Sequence, residues 1–387
     1  VLKDGDTNTH SRWRPERVSE SSGGLLTFQN DKSERIESTC FGEIASFYYL
    51  DYRTMLTFRK SLLRQKKMNR ILGKDGMEAQ LEWIAKLLAS AFEFSDVPVR
   101  HHEDQVNADL NRILPWNMSK ESGLILEGGN EKSFLLFQAY LRRIEFPIKD
   151  YVADSKLVMD QVPRVLNALI ETAAHIGSME QTFAAIRLSQ MFSQGCWWND
   201  PPLLQVPQIS RKVAESIITE VGETLGGISP LLHLVRLPPS EVSSILEKSG
   251  MKPKHILRTV KVIKQLPDVR IVRAKSVSMQ GNASTFINGK IEPRKVIRKK
   301  VSVCLENVTP SNTRLPFSTS LKTSSSSLWV FLTDGVKELV KFEKCKVSSN
   351  RHELEINLDT GDTVPTKAHL IYSNIAGLDT SISIDMS

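Results

Sequence analysis

No phosphate-binding G-x-x-x-x-G-K-[S/T] loop occurs in this sequence; Gly289-Lys290 comes nearest, but Ile291 follows and the upstream glycine is missing. A chain without that loop is not expected to hold ATP. No G-x-S-x-G elbow presents a nucleophilic serine, and no G-x-G-x-x-G turn offers itself to a dinucleotide. His102-Glu103 does not extend to H-E-x-x-H, because Val106 stands where the second histidine belongs. An ATPase, an elbow-type serine hydrolase and a zinc protease are all left unsupported, and no catalytic residue, metal ligand or cofactor is expected in the chain. Cysteine is scarce too: Cys40, Cys196, Cys304 and Cys345 are widely spaced and form no C-x-x-C pair. That excludes a disulfide scaffold and a structural zinc site, and makes a reducing compartment, nucleus or cytoplasm, the expectation. Long apolar runs are missing as well; none approaches the roughly eighteen residues a bilayer-spanning helix needs, so no membrane partner is expected. The opening VLKDGDTNTH lacks the apolar stretch of a signal peptide, and a start at Val1 rather than methionine is expected of a fragment.

What is present is the composition of a folding chain, with 40% hydrophobic and 25% charged residues over 387 positions. That length suggests two or three domains. Lysine and arginine outnumber the carboxylates 51 to 44, a net +7. Such a bias is compatible with nucleic acid and does not require it.

Along the chain, residues 1–38 are polar and carry a SESSGG run, as in a linker or the end of a preceding domain. Over 39–205 the period is helical: Ile44, Tyr48, Tyr52, Met55 and Leu56 share one core-facing stripe, and Leu81, Ile84, Leu87 and Leu88 another. A long helix is expected from about 154 to 176, kinked or split at Pro163 and stopped at Gly177. Shorter helices with glycine and proline breaks follow over 206–267, the layout of a helix–hairpin–helix module. From 268 to 387 the period becomes two, and Asp334-Gly335 between two such runs signals a hairpin. The fold class expected is therefore multidomain, α then β: a helical bundle, a helix–hairpin–helix-like module and an immunoglobulin-like β-sandwich. TSSSS at 323–327 reads as a loose loop.

Four local features invite a functional reading. VPVRHHEDQVNADL (97–110) gathers His101, His102, Glu103 and Asp104 beside Arg100. Consecutive helical residues point apart, so a helix start, with carboxylates at the positive end of the dipole, is expected rather than a metal or acid–base cluster. Residues 53–70 are rich in Lys and Arg with no carboxylate, and Lys60, Arg64 and Lys67 would share a helix face. That face suits a phosphate backbone, but solvent or an acidic neighbouring domain is the favoured surrounding for it. A second basic run, from Lys290 to Lys300, lies in strand-like sequence, which would turn part of it outward. Trp197 and Trp198 could stack on bases as in single-strand binders, or fill a core at a helix end.

The segments GEIASFYYLDYRTMLTF (42–58), FEFSDVPVRHHEDQVNADL (92–110), LLFQAYLRRIEFP (135–147), VMDQVPRVLNALIETAA (158–174), LSQMFSQGCWWNDPPLLQVP (188–207) and LIYSNIAGLDTSISIDM (370–386) follow one another in a known order. By these, residues 39–387 resemble the Brl domain, the Sec-sixty-three-type C-terminal domain of Ski-two-like superfamily 2 helicases. Within that family HEDQVNADL and MDQVPRVLNAL are most similar to the helicase subunit of the activating signal cointegrator complex, with the U5 snRNP helicase next. The resemblance implies a bundle, a helix–hairpin–helix module and a fibronectin type III or immunoglobulin-like domain. It also implies a ratchet-type helix along the translocated strand, here 155–176, on which Arg164 and Asn167 could share the strand-facing side. Two positions depart from the family pattern: Pro163 inside that helix, and Cys196 where a basic residue is common before the tryptophan. The implied role is an accessory region of an ATP-dependent RNA or DNA helicase that guides RNA or single-stranded DNA and docks partner proteins. ATP and Mg would belong to upstream helicase cassettes. The alternative is a pure protein-interaction scaffold regulating a motor in a ribonucleoprotein complex, in splicing or ribosome quality control, or in a repair complex. Backbone-directed contacts of this kind do not distinguish RNA from DNA.

Overall fold

A computed structural model describes residues 26–28, 36–72, 76–118, 126–146, 148–222, 228–287, 290–308, 328–345, 351–358 and 363–385. Side chains are described for these except over 26–37, 70–72 and 278–299. The 323–327 stretch and most of 1–38 lie outside the described residues; from the latter, β1 (Leu26–Phe28) and β2 (Ile36–Ser38) form a small antiparallel pair.

Seven α-helices follow: α1 (Cys40–Phe47), α2 (Tyr52–Leu72), α3 (Met77–Ala89), α4 (Asp104–Ile113), α5 (Gly129–Leu141), α6 (Lys149–Ile176) and α7 (Met179–Gln194). Thr39 starts α1, its hydroxyl accepting the Gly42 N–H at 3.3 Å. The α6 helix is the spine. It runs unbroken for 28 residues through Pro163, so the expected split does not occur. Proline removes one backbone bond and crowds the preceding turn, a cost of about 3 kcal/mol. Val162, Val165, Leu166 and Leu169 on either side are at most 1% exposed, and their burial offsets that cost. Gly177 ends α6 in the left-handed region (φ 73°), as expected. Its carbonyl accepts the Leu339 N–H at 3.3 Å, and a Cβ there would meet the Leu339 carbonyl at 3.2 Å.

Four shorter helices come next: α8 (Arg211–Val221), α9 (Pro230–Arg236), α10 (Pro239–Lys248) and α11 (Pro253–Lys264). Proline occupies the first helical position of α9, α10 and α11, where its missing N–H costs nothing.

Among the described residues that follow, the β-strands form two antiparallel sheets. One is ordered β3 (Val269–Ile287), β4 (Lys290–Asn307), β7 (Arg351–Leu358); the other β6 (Leu339–Cys345), β5 (Leu328–Thr333), β8 (Lys367–Tyr372), β9 (Thr380–Ser383). A hairpin does join β5 to β6 through Asp334-Gly335, the Asp334 carboxylate accepting the N–H groups of Val336, Lys337 and Glu338 at 2.8–3.0 Å. Strand β5 is buried on both faces, and its alternation divides the hydrophobic interior. Trp329 and Phe331 join the core of α2–α7, while Leu328, Val330 and Leu332 join that of α8–α11 and the three-stranded sheet. Helical and β regions are thus welded through shared side chains.

Candidate nucleic-acid interface

Helix α2 has the sequence YRTMLTFRKSLLRQKKMNRIL, without a carboxylate. Its basic residues divide by the direction in which they point. Arg59 lies over the Phe41 ring at 5.3 Å. Lys66 donates to the Ile176 and Gly177 carbonyls at 2.8 and 3.0 Å, where a cation suits the negative end of α6. Lys60, Arg64 and Lys67 instead fall within one narrow sector of the helix and are all exposed. Arg53, one of the exposed residues at the start of α2, continues that sector, giving a stripe about 20 Å long at 1.5 Å per residue.

At the N-terminal end of the stripe, α1 turns into α2 through an elbow. Tyr48 is buried and its hydroxyl donates to the Glu171 carboxylate of α6 at 2.5 Å. Burial first, then the Glu171 charge, pushes the Tyr48 pKa well above its ordinary value. Tyr49 takes a left-handed backbone (φ 51°), and Leu50 N–H donates back to the Ala45 carbonyl at 2.8 Å. Arg164 closes the turn. Its guanidinium donates to the carbonyl of Tyr48 at 3.0 Å, to that of Tyr49 and to Gln161 Oε1 at 2.5 Å. Beyond the turn, Thr54 accepts the Phe92 N–H at 2.8 Å, and its hydroxyl donates to Glu93 at 2.6 Å. Arg53 pairs with Asp51 at 2.8 Å and lies 3.4 Å from the centre of the Phe92 ring.

Four aromatic rings on and beside the elbow are exposed: Phe47 at 71%, Tyr49 at 85%, Tyr52 at 59% and Phe92 at 38%. Tyr52 departs from expectation, because its spacing had put it on the core side. The left-handed turn at Tyr49 sets α2 so that Thr54, Met55, Phe58 and Leu62 carry the buried face, each at most 1% exposed.

The residues singled out from sequence scatter. Lys60, Arg64 and Lys67 do share one exposed face. Arg164 and Asn167 are both half-buried on α6, and Arg164 directs donors to the elbow's carbonyls rather than to open solvent. Trp197 is 5% exposed, its ring 4.6 Å from that of Trp116 and 5.8 Å from the Arg142 guanidinium. It has no open face for a base, and of the two readings its sequence allowed, filling a core fits its burial. The cause is the turn at Gly195 (φ 59°), after which the chain folds back and Trp197 N–H reaches Asp200 Oδ2 at 2.9 Å.

The HHED segment is a helix start, as expected, and also half of a buried lock. Lys132 of α5, with no exposed side-chain surface, donates to Pro98 O, Glu103 and Asp154 at 2.8, 2.7 and 2.6 Å. Arg100 bonds the same two carboxylates at 2.6 and 2.8 Å. Burial alone would raise Glu103 and Asp154, but the bonds from Lys132 and Arg100 prevail and hold both below the usual carboxylate range. A ring nitrogen of His102 and carboxylate oxygens of Glu103 and Asp150 lie within 4.8 Å of one another. Lys132 and Arg100 already occupy the Glu103 oxygens, however, and their charges oppose a metal ion. A lone lysine in the apolar run FLLFQAYL would have been conspicuous; at its edge Lys132 gave no signal. In the second basic run, Lys300 pairs with Glu355 of β7, and the side chains of 290–299 lie outside the described residues.

These features sit on a helices-then-sheets scaffold whose β-structure is fused to the bundle, and the family follows from the whole chain. The Sec63 Brl domain model matches residues 38–385. The chain belongs to that family. Over 234 residues it is 32% identical to "Activating signal cointegrator 1 complex subunit 3" of Dictyostelium discoideum, covering 59% of this chain and 10% of that protein. It is 32% identical over 225 residues to "DExH-box ATP-dependent RNA helicase DExH14" of Arabidopsis thaliana, covering 58% and 9%. It is 27% identical over 251 residues to "Pre-mRNA-splicing factor brr2" of Schizosaccharomyces pombe, covering 65% and 10%. The matched part thus spans a tenth or less of these relatives. No helix among the described residues is long and apolar enough to cross a membrane.

Proposed function

We propose that this region is a non-catalytic guide for RNA or single-stranded DNA within an ATP-dependent helicase. In this reading ATP and Mg are handled by upstream cassettes, to which the domain is joined, and the site of action is the nucleus or the cytoplasm. The helices α8–α11 act as a helix–hairpin–helix-like module and the two sheets as a fibronectin type III- or immunoglobulin-like sandwich, offering further surfaces to protein partners of a ribonucleoprotein or repair complex. The observation that carries the proposal is the exposed, carboxylate-free stripe of Lys60, Arg64 and Lys67 on α2. Three phosphate contacts made by single strands give a salt slope of about −2, from roughly −0.7 per contact.

Anisotropy of labelled oligo-U and oligo-dT, titrated with the 387-residue chain across a salt series, tests it. Binding at low salt is expected, and reversal of all three cations to glutamate should flatten the slope by about 2. No binding at low salt overturns the guide. A second reading, a scaffold that docks proteins only, is favoured by Val152 and Leu157, apolar residues of α6 that are 56% and 55% exposed.

A further inference from the structure

We infer that the α1–α2 elbow is a base-stacking platform for single-stranded nucleic acid, with Tyr49 as its central ring and Arg164 as the residue that positions it. This rests on the guide reading above and deepens it, since it assigns where bases, rather than phosphates, are held.

Three independent observations converge. The first is exposure: Phe47, Tyr49 and Tyr52 are 71%, 85% and 59% exposed within six consecutive positions. Burying aromatic surface is strongly favourable, so three exposed rings within one turn of chain mark a contact surface. The second is backbone geometry. Tyr49 holds a left-handed φ of 51°, a conformation glycine adopts without penalty and a tyrosine does not. Such a residue persists where its surroundings enforce it and its side chain has a use. Here the enforcement is explicit, because Arg164 reaches from α6 to the carbonyls of both Tyr48 and Tyr49. The third is charge. The rings precede the stripe of Lys60, Arg64 and Lys67, on a helix with no carboxylate, while Arg53 at its head is paired with Asp51.

That combination selects the occupant. A protein surface would meet the rings but leave the stripe needing a long acidic counterpart; a single strand supplies bases and phosphates at once. Every base has a π-face, so the platform would tolerate any sequence, with the phosphates tracking along α2. Arg53, already on the Phe92 ring at 3.4 Å, presents a planar cation beside Tyr52 at 5.9 Å and widens the stacking surface.

The test compares the 387-residue chain with Tyr49→Gly and Tyr49→Trp, using oligo-dT and an abasic oligonucleotide of equal length. Glycine suits the left-handed backbone, so Tyr49→Gly removes the ring without unfolding the elbow. Expected is at least a fivefold loss of oligo-dT affinity in Tyr49→Gly, from about 1 kcal/mol or more per stacked base. The salt slope should stay unchanged, Tyr49→Trp should retain affinity, and the abasic strand should bind both proteins alike. Unchanged oligo-dT affinity in Tyr49→Gly, with ordinary binding by the parent chain, overturns the platform while leaving the guide intact, and points the rings toward a protein surface. Absence of any binding by the parent chain overturns both.

Discussion

Helices α1 and α7 are each followed by a left-handed residue, and a ring beside each turn meets opposite surroundings. The left-handed residue comes directly after α7 but one residue later after α1, beyond Tyr48. At α7 that residue is Gly195, and two positions on Trp197 is folded inward against Trp116, 5% exposed. At α1 it is Tyr49 itself, 85% exposed, with an arginine from α6 holding its carbonyl. Glycine gives the turn at no steric cost and leaves the ring free to complete a core; tyrosine keeps the ring at the turn, where the chain's reversal points it to solvent. Arg142 lies beside the Trp197 ring, and Arg53 lies beside Tyr52, three positions past Tyr49. Residue type is therefore a poor guide to which ring can meet a ligand, and turn geometry is a good one.

The largest expected effect that tests this contrast is Trp197→Ala. Removing a buried tryptophan leaves a cavity beside Trp116 and Phe134, and should cost about 3–5 kcal/mol in urea or guanidinium unfolding. Oligonucleotide affinity measured well below the unfolding transition should be unchanged. A selective loss of binding by a fully folded Trp197→Ala protein would reverse the assignment of the two rings.

Much of the scaffold was legible in the chain. Period-3.6 stripes marked α3, α6 and α7, Gly177 marked the end of α6, and Asp334-Gly335 marked the β5–β6 hairpin, because each depends on local stereochemistry. What was not legible depended on tertiary geometry. Pro163 reads as a break, and only the burial of Val162, Val165 and Leu166 on the same helix keeps α6 whole. Tyr52 fits a core stripe until the turn at Tyr49 rotates it outward. Arg164 has the spacing of a strand-facing residue, and only the packing of α1 on α6 gives its guanidinium two carbonyls. Lys132 had no signature because its partners, Glu103 and Asp154, lie in distant segments. The exposure of Lys60, Arg64 and Lys67 was legible from helical spacing alone. The surroundings of Arg164 and Trp197 were not, because a distant partner decided them.

His175 gives an effect of intermediate size and shows how firmly the other end of α1 is anchored. Its ring packs edge-on to Phe41 of α1 and Phe342 of β6. Burial first, and the Lys341 charge second, push His175 down to about 4. An unfolded histidine titrates near 6.5, so between about pH 6.5 and 4 the unfolded chain takes up a proton that the folded chain refuses. Stability contributed here is present above pH 6.5 and is lost as the pH falls to about 4, by about 2–3 kcal/mol. Unfolding free energies from pH 7.5 to 4.5 should decline accordingly, and His175→Phe should remove that part of the slope. An identical slope in the variant would show that the seam between α1, α6 and β6 is more hydrated than its packing implies.

The smallest expected effect bears most directly on the contrast between the two helix ends. If the left-handed turn at Tyr49 is held at a cost that glycine would not incur, then Tyr49→Gly should stabilise the folded protein by about 0.5–1 kcal/mol. Glycine's greater freedom in the unfolded chain works against this gain, so the net value falls toward the lower figure. Arg164→Met supplies the second leg. Without the guanidinium, the Tyr48 and Tyr49 carbonyls lose their donors, and the parent chain should weaken by about 1–2 kcal/mol. In a Tyr49→Gly background the same substitution should cost less, because glycine holds the turn unaided. Non-additivity in that double-mutant cycle, read by denaturant unfolding, is the signature of an arginine that enforces a strained tyrosine. Strict additivity would mean that the two residues act separately, and that the ring's exposure owes nothing to the strap from α6.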